Sequence, residues 1–151
     1  MGWVRILTVL FLLAFPLQTY SAEGKISKVL VHLLDQKGRH ALSPSLFDRD
    51  AYQAWLRRHP EACHGVQFEI HWKAKKVHGP LQIRIELVTT EHPKMHPLVL
   101  TKTVQPPKLF GRWTRIRLFG DAYKKAGKVL AWRVTLREGD TVLAEQKSFL
   151  W

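Results

Sequence analysis

The chain has one cysteine, Cys63, so no disulfide can form within it. Small extracellular domains that cannot build a core are commonly disulfide-dense, so this one must rely on an apolar core. No cysteine lies just after the N-terminal apolar run, which excludes a lipid-modified N-terminus of the bacterial lipoprotein kind. No apolar run reaches the roughly 20 residues that a spanning helix needs. No block of like charges reaches the length of about five or six that marks a disordered charged arm. Gly-rich phosphate loops, Gly-x-Ser-x-Gly elbows, Cys-x-x-Cys pairs and His-Glu-x-x-His spacings are all missing. Acid is scarce too: 12 Asp and Glu stand against 24 Lys and Arg, a net charge of +12. An excess of that size raises encounter rates with anionic partners; the plainer reading is that it keeps the protein in solution.

What is present begins with a targeting signal. Arg5 precedes an apolar run, Ile6 to Pro16, and Gln18-Thr19-Tyr20-Ser21-Ala22 then turns small and polar. That order describes a secretory signal peptide over residues 1–22. Cutting after Ala22 puts the bulky Tyr20 three residues back, whereas cuts after Ser21 or Gly24 leave Thr19 or Ala22 there. The expectation is an exported protein, periplasmic or extracellular, with one domain over residues 23–151 and no transmembrane segment.

The dominant pattern in that domain has period two, the mark of half-buried strands. Val66, Phe68, Ile70 and Trp72 share one face, as do Leu81, Ile83, Ile85 and Leu87, and again Leu130, Trp132, Val134 and Leu136. Weaker strands run from Ile26 to Leu34, Pro97 to Val104, Arg112 to Phe119 and Val142 to Leu150. Glu138-Gly139-Asp140 would close Leu130 to Leu150 into an antiparallel hairpin. Two short helices interrupt the strands. Asp48 is a candidate N-cap for Arg49 to Arg58, with Phe47 and Tyr52 as a hydrophobic staple and Ala51, Tyr52, Trp55 and Leu56 as the apolar stripe. Asp121 would cap a single turn, Ala122 to Ala126, ended by Gly127.

About seven alternating strands in one domain predict an all-β, two-sheet antiparallel sandwich with one short inserted helix. It resembles the immunoglobulin-like and fibronectin-III-like architecture, without the antibody cysteine pair. The segments 38–52, Gly38-Arg39-His40-Ala41-Leu42 onward to Tyr52, and 143–151, ending Ser148-Phe149-Leu150-Trp151, also resemble small exported bacterial proteins of no assigned role. That likeness implies no activity.

Eight histidines give a metal site a hearing. His59, Cys63 and His64, with His71, offer mixed N/S ligands, but no recognised ligand spacing is present and solvated loop histidines are the favoured account. His92 and His96 have helical spacing, yet Pro93 and Pro97 argue against a helix. Cys63 beside His64 has a nucleophile's composition without any flanking signature. Glu69 and Glu86 sit on polar strand faces, where carboxylates commonly pair with Lys or Arg. A terminal aromatic on an alternating strand is also found in outer-membrane barrels, but counting back from Trp151 by twos meets Lys147 and Glu145, which break the lipid-facing band.

The arginines form the more suggestive pattern. Arg84, Arg133 and Arg137, and likewise Arg115 and Arg117 with Trp113 on their own face, occupy polar faces of strands whose other faces are apolar. Neighbouring strands would line their guanidinium groups into a strip able to grip phosphate, sulfate or carboxylate, with Trp113 stacking on a sugar or base. The expectation is thus a monomeric or weakly associating, non-enzymatic binding module without cofactor or metal. Its partner is an anionic polysaccharide, a lipid head group or an acidic protein, with nucleic acid disfavoured by export. The alternative is a structural or assembly module that binds a protein through a sheet edge, and an enzyme or metal carrier comes third.

Overall fold

The strictest alternation in the sequence becomes the middle of a sheet. A computed structural model describes residues 21–107 and 110–151; the signal-peptide reading lies outside these except for Ser21 and Ala22. Along the chain come β1 (Glu23–Leu34), α1 (Leu46–Arg58), a 3₁₀ turn (Pro60–Ala62), β2 (Gly65–Lys75), β3 (Leu81–Thr89), β4 (Leu98–Val104), β5 (Arg112–Phe119), α2 (Asp121–Ala126), β6 (Val129–Glu138) and β7 (Thr141–Lys147). One sheet has the order β1-β2-β5 and the other β4-β3-β6-β7, with every pairing antiparallel. This is the anticipated two-sheet sandwich. β4 stays beside β3 instead of joining β5, which distinguishes the arrangement from the antibody constant-domain split.

The core lies between the inner faces. Val66, Phe68, Ile70 and Trp72 of β2 meet Leu81, Ile83, Ile85 and Leu87 of β3 and Val134 and Leu136 of β6, all buried. Trp132 reaches the same cluster edge-on to Phe68, with ring centroids 6.2 Å apart. Trp72 donates its indole N–H to Thr114 Oγ1 at 2.8 Å, so the largest core side chain leaves no orphan donor. One inward assignment fails. Leu130 is 47% exposed because it is an extra residue in β6: Val88 pairs with Ala131 and Thr89 with Val129, so Leu130 bulges out without a partner on β3.

The helix signals were displaced. Ser45, not Asp48, caps α1: its Oγ accepts from Asp48 N–H, while Asp48 accepts from Ser43. Phe47 therefore falls inside the helix and is 81% exposed, so the staple does not form. Gln53 and Leu56 are the buried residues of α1. In α2 the N-cap is Gly120 at φ 66°, and Asp121 is the first helical residue. The final hairpin closes as expected, but β7 stops at Lys147; Phe149 is fully exposed and Trp151 covers Arg133 instead.

Side chains or close contacts engage each of the four edge strands, β1, β5, β4 and β7. The Gln53 side chain bonds the Leu33 backbone on β1. Lys102 of β4 donates to the Arg115 carbonyl of β5 at 3.1 Å, tying the two sheets along that side. At the start of β1 the backbone comes so close to β7 that a Cβ on Gly24 would lie 2.6 Å from Leu143 Cβ, which only glycine avoids.

Candidate functional site

Alternation and register together decide what each sheet presents to solvent. Across the outer face of the first sheet the rows read Glu23–Lys75, Lys25–Lys73, Lys28–His71–Trp113, Leu30–Glu69–Arg115 and His32–Gln67–Arg117. Across the second they read Thr103–Gln82–Arg137–Val142, Thr101–Arg84–Thr135–Glu145 and Val99–Glu86–Arg133–Lys147. The arginines singled out in the sequence thus divide between two opposite faces. Arg115 and Arg117 share one with Trp113; Arg84, Arg133 and Arg137 share the other.

The second face is internally compensated. Glu86, only 8% exposed, takes Arg84 on Oε1 at 3.2 Å and Arg133 on Oε2 at 2.6 Å. Arg133 also reaches Glu145 at 3.9 Å and lies over the Trp151 ring, 4.8 Å from its centroid. Arg137 donates to the Asp140 carbonyl. An anion arriving there competes with carboxylates already in place.

The first face keeps charge to spare. Arg115 meets Glu69 at 3.1 Å; Arg117 donates to Gln67 Oε1, and Gln67 donates in turn to Glu69 at 2.7 Å. One carboxylate therefore serves both arginines. Lys25, Lys28 and Lys73 have no carboxylate within ion-pair distance among the described residues, and Lys25 stands directly opposite Lys73. Next to them His71 and Trp113 hold their rings 5.1 Å apart, with Trp113 51% exposed. Ser27, where β1 slips register, lies 2.6 Å from His71 Nδ1 and fixes that ring. Two depressions flank this row: about 220 Å³ beside Lys25, Lys73 and Lys75, and about 430 Å³ beside Glu69, Trp113 and Arg115. His32 adds no charge at neutral pH, because burial first, and then His40 stacked 5.0 Å away, hold its imidazole below the ordinary range.

The three lysines did not stand out in the sequence. Lys73 continues the polar face of β2 legibly, but its opposition to Lys25 depends on a pairing register, and Lys28 shares the face only through the slip after Ile26.

The other clusters separate. Cys63 Sγ donates to the Leu56 carbonyl, and burial first, then Glu61, pushes its thiol up. His59 Nδ1 contacts the Trp55 carbonyl and His64 Nδ1 the Ala62 carbonyl, so both rings serve the chain turn after α1. Among the described residues no group of three or more His, Cys, Asp or Glu is placed to hold a metal ion. Glu69 and Glu86 stand on different sheets, each held by arginine.

Among the described residues no helix is long and apolar enough to cross a membrane. No protein-family model matches the chain, and neither a curated protein nor a solved structure is similar enough to count as a match.

Proposed function

We propose that the protein is exported and binds an anionic polysaccharide on the outer face of its first sheet, without catalysis and without a cofactor. The observation that carries this reading is the Lys25–Lys73 row. Like charges directly opposite on a sheet are destabilising, and here Lys28 extends the row on the same face. Arg115 and Arg117 supply planar forks suited to sulfate or carboxylate, and the exposed Trp113 beside them offers a flat surface for a sugar ring. The signal-peptide pattern of residues 1–22 supports an extracytoplasmic partner over a nucleic acid.

The test is retention on immobilised heparin with a salt gradient. The wild-type protein is expected to bind at about 0.15 M salt and to elute as screening increases. The double variant Lys25→Glu/Lys73→Glu should elute at markedly lower salt. The variant Arg137→Glu/Lys147→Glu changes net charge equally on the other face and should elute close to wild type. Equal shifts for both pairs would mean that net charge alone is read, and absence of wild-type retention would end the proposal.

A further inference from the structure

Away from that cationic face, the sandwich is open along one side. β7 stops at Lys147, opposite Arg133, so the first residues of β6 lack a full strand neighbour there. Facing them across the gap is β1, the edge of the other sheet. Between the two runs a cavity of about 450 Å³ walled by Val31, Leu33, Val129, Leu130 and Trp132, with Leu150 of the C-terminal tail at its mouth. It adjoins a second cavity of about 430 Å³ that reaches Leu56, Pro60 and Cys63; Leu33, Arg57, Tyr123 and Lys128 line both. Taken together as a channel lined in common by these residues, the two cavities each fall within the range of about 300–1,000 Å³ typical of small-molecule sites.

The walls are unusually apolar for exposed surface. Val31 is 36% exposed, Leu130 47% and Leu150 74%. The charged groups gather in the shared middle and at one rim: Arg57, Lys124 and Lys128, none with a carboxylate partner among the described residues, while Gln53 and Ser148 add neutral polar groups to the first cavity. Among the described residues no Asp or Glu lines either cavity. A neutral oil would leave those cations unanswered, and a hydrophilic anion would leave the walls bare. Only a molecule with a long apolar chain and a single anionic end answers both.

We infer that this channel binds a single-chain anionic amphiphile, a long-chain fatty acid, with the acyl chain between Val31, Leu33, Leu130 and Trp132 and the carboxylate on Arg57, Lys124 and Lys128. The Tyr123 hydroxyl, kept protonated by burial and then by the neighbouring Cys63, is available as a further donor to the carboxylate. The site is independent of the polysaccharide reading, because the two surfaces share no residue.

Calorimetric titration of the purified protein with laurate, myristate and palmitate, each below its aggregation limit, tests it. Each methylene buried is expected to add about fourfold in affinity until the channel is filled. Arg57→Glu/Lys128→Glu should weaken palmitate binding by about tenfold or more. Leu130→Asp, at an exposed position, should weaken it while leaving the unfolding transition in place. Hexadecanol should bind more weakly than palmitate. No palmitate binding, an affinity independent of chain length, or unchanged binding by both variants would overturn the assignment. Equal binding of hexadecanol would overturn the role of the basic rim.

Discussion

Gln53 is bonded to Leu33 as a neighbouring strand would be. Its Oε1 accepts from the Leu33 N–H at 2.8 Å and its Nε2 donates to the Leu33 carbonyl at 2.9 Å, with a further bond to the His40 carbonyl at 2.8 Å. A side chain on α1 thereby finishes the edge of β1 and blocks strand addition at that point. Gln53→Ala leaves these groups without partners and is expected to cost about 2 kcal/mol. Gln53→Glu removes both donations and should cost more at neutral pH than at acid pH, where the protonated carboxyl regains one. Denaturant unfolding at two pH values checks both.

Asp35 gathers the loop that leads into α1. Burial pushes its carboxyl up, but the Arg39 N–H, the Tyr52 hydroxyl, the Arg39 guanidinium and the Lys37 N–H together hold it below its ordinary value of 3.8. A depressed carboxyl stabilises the fold above its unfolded pKa, and the contribution is lost as pH falls through the lower folded value. Stability should therefore decline on acidification below about pH 4. Tyr52→Phe removes the 2.8 Å bond, should cost about 1 kcal/mol at neutral pH, and should flatten that acid limb. Thermal unfolding from pH 2.5 to 7 measures it; an acid limb unchanged from wild type would refute the role of Tyr52.

The core bond between Trp72 and Thr114 joins β2 to β5 where no water can replace it. Thr114→Val keeps the shape and removes the acceptor, leaving a buried indole N–H unpaired. The expected loss is about 1–3 kcal/mol, with a change in Trp fluorescence as the indole loses its partner. Loss below about 0.5 kcal/mol would show that the indole finds another acceptor.

Fold class was legible because β2, β3 and most of β6 alternate without interruption, and each strand carries its own evidence of being half-buried. Gln53 was not, since a polar residue on the inner side of a helix contradicts the amphipathic pattern that identifies helices; only its bond to Leu33 explains it. Leu130 misled for a related reason. Leu130 is itself the extra residue of a bulge in β6, unpaired between Val129 and Ala131, and an apolar residue in an alternating run gives no sign of that bulge. The arginines were read correctly as face residues, but their division between two sheets depends on strand order, to which period-two patterning is blind.

Strand order also sets Lys25 against Lys73, and that opposition has a thermodynamic signature. Cross-strand pairs of opposite charge contribute roughly 0.2–1 kcal/mol, and like charges act in the reverse sense. Lys73→Glu alone should therefore raise stability by about 0.5 kcal/mol at low salt, with the gain shrinking as screening increases. The same substitution should lower the salt needed to elute the protein from heparin. A gain in stability with a loss in binding identifies a row whose repulsion is retained for an anion to relieve, since a bound polyanion removes the repulsion that the free protein carries. If Lys73→Glu neither stabilises nor weakens binding, the two ammonium groups are far enough into solvent to act independently, and the charge on this face serves solubility alone.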